Sequence, residues 1–153
     1  MSLHEEVEIL RNIPLFAHID ASKLKLLAFT SERLTFAMDQ VLFHKGDPGD
    51  AAYIILKGEA DIIVDGPKGP ITVAHMGKNQ VLGEIAILCD VPRTATVRAA
   101  SELITLRISK DLFLRLIREF PQIAIEIMRV LASRLERTTE QLRDAKSKLG
   151  NAA

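Results

Sequence analysis

The sequence predicts a mainly β fold, an antiparallel barrel or sandwich, with helices before it and a long helix after it. Three observations predict this. Residues 34–108 break into short β-rich runs separated by turn residues, residues 5–30 carry helical patterning, and residues 109–149 become helical again. A chain of 153 residues in that order fits a single domain, spanning residues 1–153, with a hydrophobic core of its own.

The N-terminal helices come first. Val7, Ile9, Leu10 and Ile13 precede a break at Pro14, and Asp20 or Ser22 can cap a second helix carrying Leu24, Leu26, Leu27 and Phe29. The strands follow at Leu34–Phe36, Gln40–Phe43, Tyr53–Leu56, Ala60–Val64, Ile71–His75, Ala95–Ala99 and Glu102–Ile108. Between them lie the turn runs Gly46-Asp47-Pro48-Gly49-Asp50, Lys57-Gly58 and Asp65-Gly66-Pro67-Lys68-Gly69-Pro70. One stretch inside this region, Gly83-Glu84-Ile85-Ala86-Ile87-Leu88, reads instead as one or two helical turns set between strands.

After Ile108, Ser109 can cap a helix bearing Leu112, Phe113, Leu116 and Ile117, and Pro121 suits the first turn of a long terminal helix. Met128, Leu131, Leu135, Thr138, Leu142, Ala145 and Leu149 are spaced alternately three and four apart, a heptad seam. Up to Leu131 this stripe is expected to pack on the chain's own β body. Beyond it, residues 131–149 outrun so small a fold and are expected to pair with a second copy as a homodimer.

Composition excludes several classes. Twenty basic and twenty acidic side chains balance, and no block of Lys and Arg announces a nucleic-acid surface. Cys89 is the only cysteine, which rules out an intramolecular disulfide or a thiolate cluster for zinc or iron–sulfur and suits a reducing cytoplasm. On the apolar run that contains it, Cys89 is expected to be a buried small hydrophobe. His4, His18, His44 and His75 share no metal-ligand spacing, so no metal site is expected. No apolar run reaches the ~20 residues of a membrane span, and residues 1–6 lack the basic flank and apolar stretch of a signal peptide, so none is expected.

The chemistry concentrates in residues 83–97, Gly-Glu-Ile-Ala-Ile-Leu-Cys-Asp-Val-Pro-Arg-Thr-Ala-Thr-Val. A cyclic phosphodiester on a ribose needs main-chain N–H donors, one planar cation and an acceptor for the sugar hydroxyl. A short helix opening at Gly83 supplies the donors, because its first-turn amides have no internal partners. Arg93 supplies a permanently charged fork, Glu84 the acceptor, and Thr94 a hydroxyl beside the cation. Taken singly, Glu84 would be a favourable first-turn carboxylate and Arg93 a surface ion-pair partner. Their combination is what points to a ligand.

Gly83-Glu84-Ile85-Ala86 followed by Pro92-Arg93-Thr94-Ala95-Thr96-Val97 resembles the phosphate-binding cassette of the cyclic-nucleotide-binding domain family. That family includes catabolite activator proteins, protein kinase A regulatory subunits and the cytosolic domains of cyclic-nucleotide-gated channels. Leu10 to Phe16, Phe43 to Asp47 and Ala52 to Ala60 extend the resemblance, which covers residues 7 to about 145. It implies a jelly-roll β barrel (a double-stranded β-helix) that binds cAMP or cGMP without chemical change and holds no cofactor. Carried over by position, Gly83, Glu84, Ile85, Arg93, Thr94 and Ala95 would contact sugar and phosphate. Val81 and Leu82 stand where aromatic residues are common, so that wall should be shaped differently.

The terminal helix is similar to the catabolite-activator dimer helix, which implies that Thr138 reaches the base in its own subunit and Thr139 the ligand of the neighbour. That pair favours cAMP, whereas Thr94 resembles cGMP-responsive kinases. The resulting expectation is a cytoplasmic, non-catalytic cAMP sensor that transmits occupancy through its C-terminal helix to an unknown effector protein. No DNA-binding or membrane segment is expected within these 153 residues. The alternative is the sensing module of a larger transcription regulator or channel, or a cGMP-binding domain.

Overall fold

The computed structural model describes residues 3–151; residues 1–2 and 152–153 of the expected span lie outside the described residues. Helix α1 (Leu3–Arg11) and a 3-10 turn (Pro14–Phe16) lead into α2 (Ala21–Thr30). Eight strands follow: β1 (Glu32–Phe36), β2 (Val41–Phe43), β3 (Ala51–Lys57), β4 (Ala60–Gly66), β5 (Gly69–Met76), β6 (Val81–Leu82), β7 (Thr96–Ala99) and β8 (Leu103–Ser109). Helix α3 (Glu84–Leu88) interrupts them between β6 and β7, and α4 (Lys110–Glu119) and α5 (Pro121–Asn151) close the chain.

The strands form two four-stranded antiparallel sheets, ordered β1-β8-β3-β6 and β2-β7-β4-β5. This is the expected jelly roll. Only β4 and β5 pair as sequence neighbours; the other pairings join distant segments, as where Leu34 faces Thr105. The β4–β5 turn is tighter than the six-residue run anticipated, because Gly66 pairs with Gly69 and leaves only Pro67 and Lys68 between the strands. The two-residue strand β6 was not anticipated; its register against Tyr53 and Ile54 is set entirely by β3.

Two apolar clusters hold the molecule together. Inside the barrel, Ala51, Tyr53 and Ile55 of β3 pack with Phe36, Met76, Leu82, Val97 and Leu103. The alternate β3 residues, Ala52 and Ile54, point the other way, to meet Leu24 and Leu27 of α2, Phe113 of α4 and Ile123 of α5. Strand β3 is thus buried on both faces, which explains why it reads as a continuous apolar run.

The helix boundaries follow local chemistry. Ser109 caps α4 by accepting from the Leu112 amide, and Pro121 opens α5. Asp20 occupies the position before α2 but makes no side-chain cap; its main-chain oxygen accepts from Lys23 and Leu24 instead. Only Leu24, Leu27 and Ala28 of α2 are buried, while Leu26 and Phe29 face solvent. On α5, Ile123 and Ile127 are buried and Leu131 is half-buried, so the first turns pack on the body as expected. Met128 does not join them. It is exposed in line with Leu135, Leu142 and Leu149, each seven residues from the next.

Candidate functional site

Residues 83–97 wrap one end of the barrel. Gly83 takes a positive φ of 81° to turn the chain from β6 into α3, a conformation that other residues adopt only with strain. A Cβ at this position would stand 2.4 Å from Arg93 Nη1, so the glycine also makes room for the cation. The β2–β3 turn clasps the main chain of Arg93: the Gly46 amide donates to Arg93 O, and the Arg93 amide donates to Asp47 O, each at 2.8 Å. Gly49 of that turn lets α3 approach closely, since a Cβ there would lie 2.4 Å from the Ala86 Cβ.

Arg93 is only 3% exposed. Its Nη1 donates to Gly83 O at 2.8 Å and its Nη2 to Ala51 O at 2.6 Å. Asp50 Oδ1 stands 3.6 Å from Nη2, and Cζ lies 4.0 Å from the centroid of the Phe43 ring. At a desolvated site such a cation–π contact contributes about 2 kcal/mol. Burial pulls the guanidinium pKa below its ordinary value, with nearby Tyr53 and carboxylates opposing that shift. Nε is buried without a hydrogen-bond partner. Among the described residues Arg98 Nε shares that condition, but Arg98 does not line the cavity beside Arg93.

That cavity has a volume of about 200 Å³ and is walled by Gly83, Glu84, Ile85, Arg93, Thr94 and Ala95, with barrel residues completing it. Six of the eight residues singled out in the sequence therefore meet in one place. Val81 and Leu82 form part of the same wall. Thr138 lines a larger open groove, about 640 Å³, between β5 and α5. Ala74, Met76 and Arg134 border both spaces, so the two lie side by side. Thr139 lies on the exposed surface of α5 and lines neither.

Two contributors escaped sequence reasoning. Arg134 of α5 donates from Nη1 to Glu84 Oε1 at 2.8 Å and from Nη2 to Val81 O at 3.2 Å. A signal existed, since Arg134 follows Ile127 by seven residues and so lies on the inward stripe of α5, an unusual place for a cation. Phe43 had none, because only the β2–β7 pairing, Phe43 opposite Val97, brings it to the cassette. Cys89 corrects an expectation: it terminates α3 and is exposed, because α3 buries Glu84, Ala86 and Ile87 and ends there. Among the described residues no group of three metal-ligating side chains gathers, and no helix is long and apolar enough to cross a membrane.

The sequence profile described as "Cyclic nucleotide-binding domain" matches residues 33–120, more than half of the chain and the whole of the cassette. The chain belongs to the cyclic nucleotide-binding domain family. It is 31% identical over 140 residues to a CRP-like cAMP-activated global transcriptional regulator of Mycobacterium tuberculosis, a match that covers 90% of this chain and 62% of the relative. The chain thus spans less than two thirds of that regulator's length. Among solved structures, a cyclic nucleotide-binding domain from Methylobacillus flagellatus superposes with a TM-score of 0.75 at 27% identity, covering 91% of this chain and 81% of that one. The catabolite activator protein of Thermus thermophilus superposes with a TM-score of 0.73 at 26% identity, covering 84% and 61%. This cyclic nucleotide-binding domain therefore shares its jelly roll with proteins that serve regulation.

Proposed function

We propose that the cavity binds cAMP without altering it and that occupancy is reported through α5. The observation that carries this reading is a single cavity lined both by Arg93, a buried cation, and by Glu84, a buried carboxylate. A buried cation whose hydrogen-bond partners are neutral main-chain oxygens would gain from an incoming phosphate. Glu84 would accept from the ribose 2′-hydroxyl, and Thr94 and the first-turn amides of α3 would add donors around the phosphate. Ile85 and Ala95 would flank the sugar. The base would extend along Ala74 and Met76 toward Thr138, and the resemblance of the Thr138-Thr139 pair favours adenine over guanine.

Binding regulates only if two conformations differ in affinity. Arg134 supports α5 as the responding element, since it joins that helix to Glu84. The exposed Leu135, Leu142 and Leu149 support a homodimer through residues 131–149, in which Thr139 would face the partner's ligand. A cytoplasmic location fits the single exposed thiol of Cys89. The length of the M. tuberculosis relative favours a second reading of the output: the same sensor acting as a module of a larger regulator.

Calorimetric titration with cAMP and cGMP tests the proposal. Nucleotide at 100 times its dissociation constant should stabilise the fold by about 2.7 kcal/mol in thermal unfolding. Absence of heat and of stabilisation with both nucleotides would refute it, and recovery of a hydrolysed nucleotide would refute the non-catalytic part.

A further inference from the structure

The Arg93 side chain is 2% exposed, yet its two close in-plane partners, the main-chain oxygens of Gly83 and Ala51, are neutral. Asp50, the carboxylate within ion-pair distance, is largely exposed and divides its attention with Arg107. One face of the guanidinium is covered by the Phe43 ring, with Cζ 4.0 Å from the centroid. That ring is in turn fixed. Tyr53 lies 5.9 Å from it, and Phe36 meets Tyr53 edge-on, so three aromatic side chains brace one cation from inside the barrel.

The geometry points to Phe43 as a positioning residue: its π face holds the Arg93 guanidinium plane at the cavity wall before any ligand arrives. A desolvated cation is attracted to the negative face of an aromatic ring, whereas an aliphatic side chain of equal bulk offers it nothing. Without the ring, the competing position lies outward, toward Asp50 and the water around it. Apparent affinity for an anion then falls in proportion to the fraction of molecules that keep the guanidinium in place. The effect on affinity rests on the nucleotide reading above; the effect on Arg93 itself does not.

Two readouts on three kinds of variant test this. Phe43→Leu keeps apolar volume without a π face, Phe43→Tyr keeps the π face, and phenylalanines carrying one to three ring fluorines keep the shape while draining the ring's electron density. The first readout is the Arg93 Nε–Hε resonance of the unliganded protein, the second the calorimetric affinity for cAMP. In Phe43→Leu the resonance is expected to move to the range of solvent-exposed arginines, and affinity to fall about tenfold. Both should be retained in Phe43→Tyr and should decline stepwise with fluorine number, a trend that packing alone would not produce.

An unmoved, solvent-protected Arg93 Nε–Hε in Phe43→Leu, or a flat response across the fluorine series, would overturn the inference. If the unsubstituted protein binds neither nucleotide, the nucleotide reading fails, and the resonance alone decides the role of Phe43.

Discussion

Arg134 and Glu84, fifty residues apart in the chain, meet at 2.8 Å between Nη1 and Oε1. The Glu84 side chain is 4% exposed and that of Arg134 28%, so the pair sits at the boundary between protein and solvent. It fastens α5 to the first residue of α3, and the same guanidinium reaches Val81 O in β6. A displacement of α5 therefore bears directly on the carboxylate proposed to hold the ribose.

Arg134→Ala should weaken cAMP binding and destabilise the unliganded fold. Removing one partner leaves the Glu84 charge buried and uncompensated, at a cost of about 3–5 kcal/mol for a fully buried pair. Water around the partly exposed Arg134 reduces that, and about 1–3 kcal/mol is expected. Chemical denaturation measures it, and Arg134→Ala combined with Glu84→Gln should recover most of the lost stability. A double variant no more stable than Arg134→Ala would dismiss the pair as an energetic link.

Gly83→Ala imposes two penalties at once. The positive φ costs a side-chain-bearing residue about 1–2 kcal/mol, and the added Cβ must displace the Arg93 guanidinium. Both the unfolding midpoint and the cAMP affinity are expected to fall. Calorimetry showing undiminished affinity would mean that Arg93 can shift without consequence for the ligand.

Arg93→Ala should lower cAMP affinity by about 2–5 kcal/mol, the cost of a buried phosphate left unpaired. Its effect on the unliganded fold should be smaller. Burial lowers the Arg93 pKa, so the unfolded chain binds this proton more tightly than the native state does. The charge therefore subtracts stability at every pH below the lowered value, and that cost is lost progressively between the lowered value and the pKa of the unfolded chain. Deleting the charge relieves the same cost, which offsets part of the loss of the two hydrogen bonds to Gly83 and Ala51 and of the contact with the Phe43 ring. Parallel unfolding and binding measurements at neutral pH check the contrast.

Leu135→Glu together with Leu142→Glu should convert the protein to a monomer in sedimentation velocity. Both side chains are more than half exposed, so the intrinsic stability of one chain has little to lose. An unchanged sedimentation coefficient, or a monomeric parent protein, would remove the seam as a dimer contact.

Thr94→Ala should reduce affinity for cAMP and cGMP alike, by about fivefold, because its hydroxyl is proposed to donate to the phosphate. A distinctly larger loss for cGMP would instead assign the hydroxyl to the guanine amino group.

Much of this site was legible because its parts are local. Gly83, Glu84, Arg93 and Thr94 lie within one run of fifteen residues, and that run carries the resemblance to the family's cassette. Ser109 and Pro121 announced their helix starts for a similar reason: capping and the missing proline donor act over three or four residues. The exposed seven-residue repeat of α5 was equally readable, because helical periodicity needs no partner to be seen.

Tertiary structure alone decided the rest. Strand pairings such as Leu34 with Thr105 join segments whose own patterns say only that they are strands. Cys89 proved exposed because α3 stops after five residues, leaving it on the outer side of the turn. The partners that complete the site, Arg134 on Glu84 and Phe43 beneath Arg93, come from a distant helix and a distant strand. Local hydrogen bonding and periodicity determine which residues form each element and which ones bear charge. Which charges end up buried together depends on how the sheets close and where α5 lies across them, and no short stretch of sequence contains that information.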